Sequence, residues 1–531
     1  MRNLELPGRS TVHAMDGMAA TSHPLSSEAA IDMLKSGGNA MDAAIAACAA
    51  QCVVEPGSTG IGGDCFVLYA PEGSDEIIAF DGSGRAPAGL NLDWLEKQGI
   101  NEIDRHSPHA VTLPGAIDAW TRLLSDYGTK SLADVFARAI HLAKNGYPVS
   151  PRVSIDWHLE FKTLDRDKNA AQVFLPKGRA MKVGEIHRQP ALAKTLETIA
   201  REGRDGFYKG DIAKDMVDYL NSLGGVHTLK DFAETHGQYV TSIHSEFRGY
   251  QVHQCPPAGQ GVVALILLNI LKDFGPECGH PTSPQRLHLE IEATKLAYGV
   301  RDAYVADPEY MTMPVEHLLS DDFAAKLRHR IDPGRAMTAL PDFGGVPHES
   351  TVYITVVDKD RNTVSFINSL FNVFGSGLMA PKSGIMLQNR GQGFVLEKDH
   401  PNCIKGGKRP LHTIIPAMTT KDGKVDLCFG VMGGAYQAMG HAHFLTRVLD
   451  FGMDIQQAID APRLFPKPGL HGVEAEGTFL PQTINALKDL GHVIGPPPKP
   501  IGGAQAIRID WKNNALTGAS EPRKDGLALG Y

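Results

Sequence analysis

Between Pro347 and Asp358 the chain leaves a loop that carries Gly and Pro and enters an alternating run, Thr351-Val352-Tyr353-Ile354-Thr355-Val356-Val357. A second alternating run, Thr363 to Ile367, follows the polar turn Asp358-Lys359-Asp360-Arg361-Asn362. Two period-two runs joined by such a turn predict an antiparallel hairpin, and this one starts at a hydroxyl residue. A Thr at a strand start is what β-propensity alone would place there. It also has a chemical reading. If the Ser350-Thr351 bond is broken, Thr351 carries a hydroxyl nucleophile and a free α-amine that can serve as its base.

A second hairpin is predicted from Ile414 to Thr420 and Val425 to Val431, across Lys421-Asp422-Gly423-Lys424. It runs into Met432-Gly433-Gly434-Ala435 and then a helix to about Leu449. Unhindered N–H groups at a helix N-terminus suit a developing oxyanion, although a double Gly is also an ordinary turn or packing device. Further strands are expected at Cys65 to Tyr69, Glu76 to Phe80 and Ala504 to Ile509. Helices are expected at Ser26 to Ser36, Met41 to Gln51 behind the cap Asn39, Ser131 to Asn145, and Ser283 to Val305. Others fall between Gln189 and about Leu223, at Asp454 to Asp460 and at Pro481 to Leu490. Arg85 is expected to emerge from a sheet edge into a tight turn, where a guanidinium can clamp a carboxylate through two hydrogen bonds.

Other features point away from particular chemistries. The Gly-rich turn Pro56 to Asp64 leads into a strand and carries no Gly-Lys-Ser/Thr, so it is not read as a phosphate cradle. His288, Glu290 and Glu292 are read as spread over different helix faces, and His441 and His443 as not sharing one, so no metal site is expected. A formal net charge of -8 argues against nucleic-acid and anionic-membrane partners. The apolar runs Ala40 to Val54 and Val262 to Leu271 fall short of the roughly 20 residues of a membrane span. The N-terminus has no apolar signal core, and the expected location is the cytoplasm. Seven cysteines without a CxxC pair suit reduced core thiols. With 531 residues the chain can hold two or more domains or one large unit, and Ile331 to Ser350 reads as an exposed linker.

Taken in order, several stretches resemble the γ-glutamyltransferase family of N-terminal-nucleophile hydrolases, over nearly the whole chain. They are Gly60-Ile61-Gly62-Gly63, Arg85-Ala86-Pro87, Leu113-Pro114-Gly115, Thr351 to Arg361, Phe374-Gly375-Ser376-Gly377, Gly384 to Asn389, Lys408-Arg409-Pro410-Leu411, Gly433-Gly434 and Asp460-Ala461-Pro462-Arg463. The resemblance implies an α+β fold, a four-layer αββα sandwich of two stacked, mainly antiparallel sheets. It implies self-cleavage between Ser350 and Thr351, giving a large subunit 1–350 and a small subunit 351–531. The two would intertwine as a heterodimer, with a dimer of such pairs as a further expectation.

The same resemblance assigns Thr351 as nucleophile, Ser369 as partner of its amine, Gly433 and Gly434 as oxyanion hole and Arg85 as carboxylate holder. No cofactor is implied. The chain departs from the family's transferases where an Asn and an Asp bind the substrate ammonium, since Phe371 and Gly393 stand there, and the Ser-Ser pair is His412-Thr413. A buried ammonium without an anionic partner costs several kcal/mol, about the whole of useful binding. The expected substrate is therefore a small carboxylate-bearing amide without an α-amine, with Phe371, His412 and Thr413 lining its site. Oxamate fits first, giving oxalate and ammonia. Glutaryl-type amides and γ-glutamyl compounds such as glutathione are the alternatives.

Overall fold

The computed structural model describes residues 8–338, 351–467 and 472–531. Ser350 lies outside these residues, as does most of the preceding linker.

The hairpin that begins at Thr351 forms as Val352–Val357 and Thr363–Ser369, with Val352 opposite Asn368. It occupies the middle of a seven-stranded sheet in the order Leu527–Gly530, Met18–Thr21, Val352–Val357, Thr363–Ser369, Asp64–Ala70, Ile78–Gly82, Gln238–Thr241. A second sheet of seven strands runs Val12–Ala14, Ala515–Ser520, Gly503–Asp510, Lys424–Met432, Ala417–Lys421, Tyr250–Gln254, Ile243–Phe247. Every pairing in both sheets is antiparallel.

Alternation along the central strand explains the layering. Tyr353 and Val357 point between the sheets, where they meet Phe66, Ile367, Met418, Cys428 and Ile507. Ile354 and Val356 point the other way, into a helical layer built from Pro24–Lys35, Ala40–Val54, Ala116–Tyr127, Leu132–Asn145 and Pro190–Glu202. The outer face of the second sheet is covered by Gly261–Leu271, Pro284–Tyr304 and Tyr436–Leu449. Side chains of period two on both sheets thus feed three apolar layers, and the fold is the expected αββα sandwich. Each sheet contains strands from before residue 350 and from after it, hydrogen-bonded to one another, so the two parts of the chain cannot separate without breaking both sheets.

Several local expectations shift. The first helix begins at Pro24 and not Ser26, because the His23 ring accepts from the Leu25 N–H at 3.2 Å and caps it. The strand before Arg85 is not an edge, since Gln238–Thr241 pairs outside it. The run Val262 to Leu271 is a helix buried all round. The Gly-rich turn is a close-packing device: a Cβ at Gly62 or Gly63 would run into the carbonyls of Met386 or Ser369. That contact, with Gln388 N–H donating to Gly62 O at 3.1 Å, clamps the segment carrying Arg390 against the first sheet. All seven cysteines are free thiols, five of them buried. Among the described residues no helix is long and apolar enough to cross a membrane.

Candidate active site

Thr351 is 1 % exposed and stands at the head of its strand, alongside Ser369 across the hairpin. Its Oγ1 accepts a hydrogen bond from Gln437 Nε2 at 3.1 Å. The other end of the same amide, Oε1, accepts from the Ile415 N–H at 3.1 Å, which fixes which end faces Thr351. As an acceptor, the Thr351 oxygen keeps its own proton for another partner. Gln437 lies in the first turn of the helix Tyr436–Leu449, and the chain enters that helix through Gly433 and Gly434 with φ of 122° and 59°. The carbonyls of this pair accept from Tyr436 and Gln437, and among the described residues no backbone acceptor takes their own N–H groups. A Cβ on Gly433 would sit 2.8 Å from Gly502 Cα, so only glycine passes here. A cleft of about 80 Å³ opens over Thr351 and Gly433, and among the described residues its rim carries Arg152, Lys467, Lys499 and Lys524 against one acid, Glu474.

The remaining expected residues gather on the other side of the hairpin. Ser369 Oγ accepts from the Phe371 N–H at 2.8 Å, and Ser369 is paired in the sheet with Asp64. Asp64 is fully buried and heavily used: one oxygen takes Gly84 N–H, Gly115 N–H and Gln388 Nε2 at 2.9 to 3.0 Å, and the other takes His412 Nε2 at 2.8 Å. Burial pushes the Asp64 carboxyl up, but the His412 hydrogen bond and the charges of His412 and Arg390 outweigh it and hold it below its ordinary value. His412 Nδ1 faces the Pro410 carbonyl at 2.9 Å, so both ring nitrogens look at acceptors and a neutral ring can donate to only one. Burial and Arg390 pull this imidazole below its usual range against the attraction of Asp64. Thr413 enters through its backbone. Gln260 Nε2 donates to Thr413 O at 2.8 Å and to Gly434 O at 3.0 Å, tying the two segments together.

Arg85 follows the strand Ile78–Gly82. Its loop is laced to the His412 segment by Ala86 N–H to Lys408 O at 2.9 Å and Gly407 N–H to Ala86 O at 3.0 Å. Its guanidinium, however, is partly exposed, donates to Gly407 O at 2.8 Å and lies 3.6 Å from Asp307.

Sequence reasoning did not single out Gln437, Gln260, Asp64 or Arg390. Each acts across the fold from its partner, which no local pattern reports. The metal reading also changes in one detail. His288 and Glu292, four residues apart, do share a helix face and meet His492. Protein groups hold all three: His288 Nδ1 contacts His492 Nε2 at 2.8 Å, and Glu292 takes Lys295 at 2.7 Å and the Met337 N–H at 2.8 Å. Glu290 turns away to His443 at 2.9 Å.

Comparison with known proteins agrees with this architecture. The family model described as Gamma-glutamyltranspeptidase matches residues 26–531. The chain is 37% identical to the glutathione hydrolase-like YwrD proenzyme of Bacillus subtilis, over 97% of this chain and 98% of that protein. It is 34% identical to the oxamate amidohydrolase proenzyme of Klebsiella pneumoniae, again over 97% and 98%. Among solved structures, the cephalosporin acylase from Bacillus halodurans superposes with a TM-score of 0.93 at 39% identity, covering 100% of this chain and 99% of that one. Two stacked antiparallel sheets with a hydroxyl residue at the head of a central strand, together with a match across nearly the full length, make this chain a member of the gamma-glutamyltranspeptidase family of N-terminal-nucleophile hydrolases.

Proposed function

We propose that the chain is the precursor of an amidohydrolase, cut between Ser350 and Thr351 into subunits 1–350 and 351–531 that stay interlocked. The observation that carries this reading is the Thr351 hydroxyl, held by Gln437 one turn beyond Gly433 and Gly434. In the mature protein the Thr351 amine takes the hydroxyl proton as Oγ1 attacks the amide carbonyl. The N–H groups of Gly433 and Gly434 receive the oxyanion, and Ser369 holds the amine. Collapse passes the proton to the leaving nitrogen and leaves an ester on Thr351. Water then attacks that ester and releases the acid.

The acyl group in this reading carries a carboxylate and no α-ammonium, with oxamate first. Support comes from Phe371 and from Gly393, whose Cβ position is closed by the Leu411 carbonyl, 2.8 Å from where that atom would lie. Asp64 has both oxygens committed to other donors. Phe371, His412 and Thr413 form the surroundings of the acyl group, in a protein acting in the cytoplasm. Names of the relatives span glutathione, oxamate and cephalosporin chemistry, so turnover must decide. Ammonia release from oxamate is compared with chromophore release from γ-glutamyl and glutaryl p-nitroanilides, with Thr351→Ala as blank. The expected result is the highest kcat/KM for an amine-free acyl group, and a preference for γ-glutamyl would overturn the acyl assignment.

A further inference from the structure

Arg390 is the most unusual charge in the molecule. Its side chain is 0 % exposed, and among the described residues Nε, Nη1 and Nη2 all lack a hydrogen-bond partner. A buried guanidinium offers five N–H donors, and leaving them unused is costly. Its one charge partner, Asp64, lies 3.6 Å away, beyond a hydrogen bond, with its lone pairs already given to Gly84, Gly115, Gln388 and His412. The face of the guanidinium is covered by the Phe371 ring, 4.7 Å away. Phe371 in turn has a φ of 85°, a left-handed conformation that a bulky side chain adopts only under constraint. Its N–H is tied to Ser369, the neighbour of Thr351 across the hairpin.

Other unused polar groups lie nearby. Gly391 packs onto the carbonyls of His109 and Ala110. The hydroxyls of Thr112 and Ser83 and the Gln388 carbonyl oxygen, on the segments around Asp64, are buried without partners. A buried guanidinium short of hydrogen-bond acceptors thus lies among under-used polar groups, one strand away from the hairpin strand that starts at Thr351. Arg85, by contrast, is partly exposed, and its Nη1 donates to Gly407 O and lies 3.6 Å from Asp307.

We infer that Arg390, not Arg85, binds the carboxylate of the acyl group, with Phe371 as the cover that moves aside when that anion enters. The inference rests on the acyl-enzyme reading above and adds the anion-binding residue and a closed state of its subsite. An entering carboxylate satisfies the donors that Asp64 cannot, and its charge favours a proton on His412, whose second ring nitrogen then donates as well.

The test separates binding from turnover. Matured wild type, Arg390→Gln, Arg390→Met and Arg85→Gln are each titrated with oxamate and with glutarate and followed by thermal shift. Each is then assayed on oxamate against oxamide, its neutral counterpart. Expected is a carboxylate-induced rise in Tm for wild type and Arg85→Gln that is lost in both Arg390 variants. The oxamate-to-oxamide ratio of kcat/KM should fall at least a hundredfold in the Arg390 variants, with cleavage at Thr351 intact. A wild type whose Tm neither anion moves, Arg390 variants that keep the anion shift, or a loss that follows Arg85→Gln instead would overturn the assignment. Absent turnover with the anion shift intact would refute the acyl-enzyme reading and leave the anion site standing.

Discussion

Gln437 donates to the Thr351 hydroxyl oxygen while the Ile415 N–H holds its other end, so one amide bridges the head of the central strand of the first sheet and the approach to the second. The Thr351 hydroxyl is therefore held by the first turn of a helix that the chain enters through Gly433 and Gly434.

Replacing Gln437 by Met keeps the volume and removes the donor. One neutral hydrogen bond is worth about 1 to 1.5 kcal/mol, so kcat should fall by about tenfold with KM unchanged. Steady-state kinetics on the preferred amide checks this, and an unchanged kcat would mean that Thr351 is positioned by other contacts.

Gly433→Ala tests the turn itself. The added methyl meets Gly502 Cα at 2.8 Å on a backbone with φ of 122°. A destabilisation of about 1 to 3 kcal/mol is expected, read as a lower urea midpoint. Turnover should drop by about a hundredfold or more, because the N–H groups that would face the oxyanion move with the turn.

Gly393→Asp asks whether an ammonium partner can be restored by one substitution. The Leu411 carbonyl and the Pro410 ring occupy the space that a side chain needs, at 2.8 and 3.2 Å from the Cβ position. Overpacking should cost about 1 to 3 kcal/mol without a gain in γ-glutamyl hydrolysis. A stable variant with faster γ-glutamyl release would show that the acyl pocket differs from this description.

Acid should weaken the fold before carboxylates titrate. Burial lowers the pKa of His187, His227 and His253 to about 4, and of His441 and His492 to about 3. These folded values lie below the unfolded value near 6.5, so protons bind the unfolded chain preferentially as pH falls. Stability from these groups is complete above about pH 6.5 and declines toward pH 4, by up to about 1.4 kcal/mol per pH unit for each histidine. Chemical denaturation at pH 7.5, 6.0 and 5.0 should show a falling midpoint, and a flat profile would contradict the buried neutral state.

Much of the fold was legible because alternation is strong where a strand is central. Val352–Val357 and Lys424–Met432 carry long apolar patterns and were readable, as were the helices behind the caps Asn39, Ser131 and Ser283. Short or small-residue strands were not. Val12–Ala14 and Ile243–Phe247 lie at the outside of the second sheet, and Met18–Thr21 is built of small residues that show no period. The nucleophile candidate was visible because a loop-strand junction marks it in sequence. Arg390 was not, because its significance is the lack of a hydrogen-bond partner among the described residues, which only three dimensions reveal. Arg85 was legible from its sequence context, a turn after a strand, and in the fold its Nη1 donates to Gly407 O.

The central claim is that Thr351 becomes a chain terminus and then the nucleophile. Intact-mass spectrometry of the purified wild type and of Thr351→Ala, each assayed for amide turnover, tests it most directly. The account predicts two fragments ending at Ser350 and beginning at Thr351 for the active wild type, and one uncut, inactive chain for Thr351→Ala. An uncut wild type that turns over substrate, or an active Thr351→Ala, would contradict it.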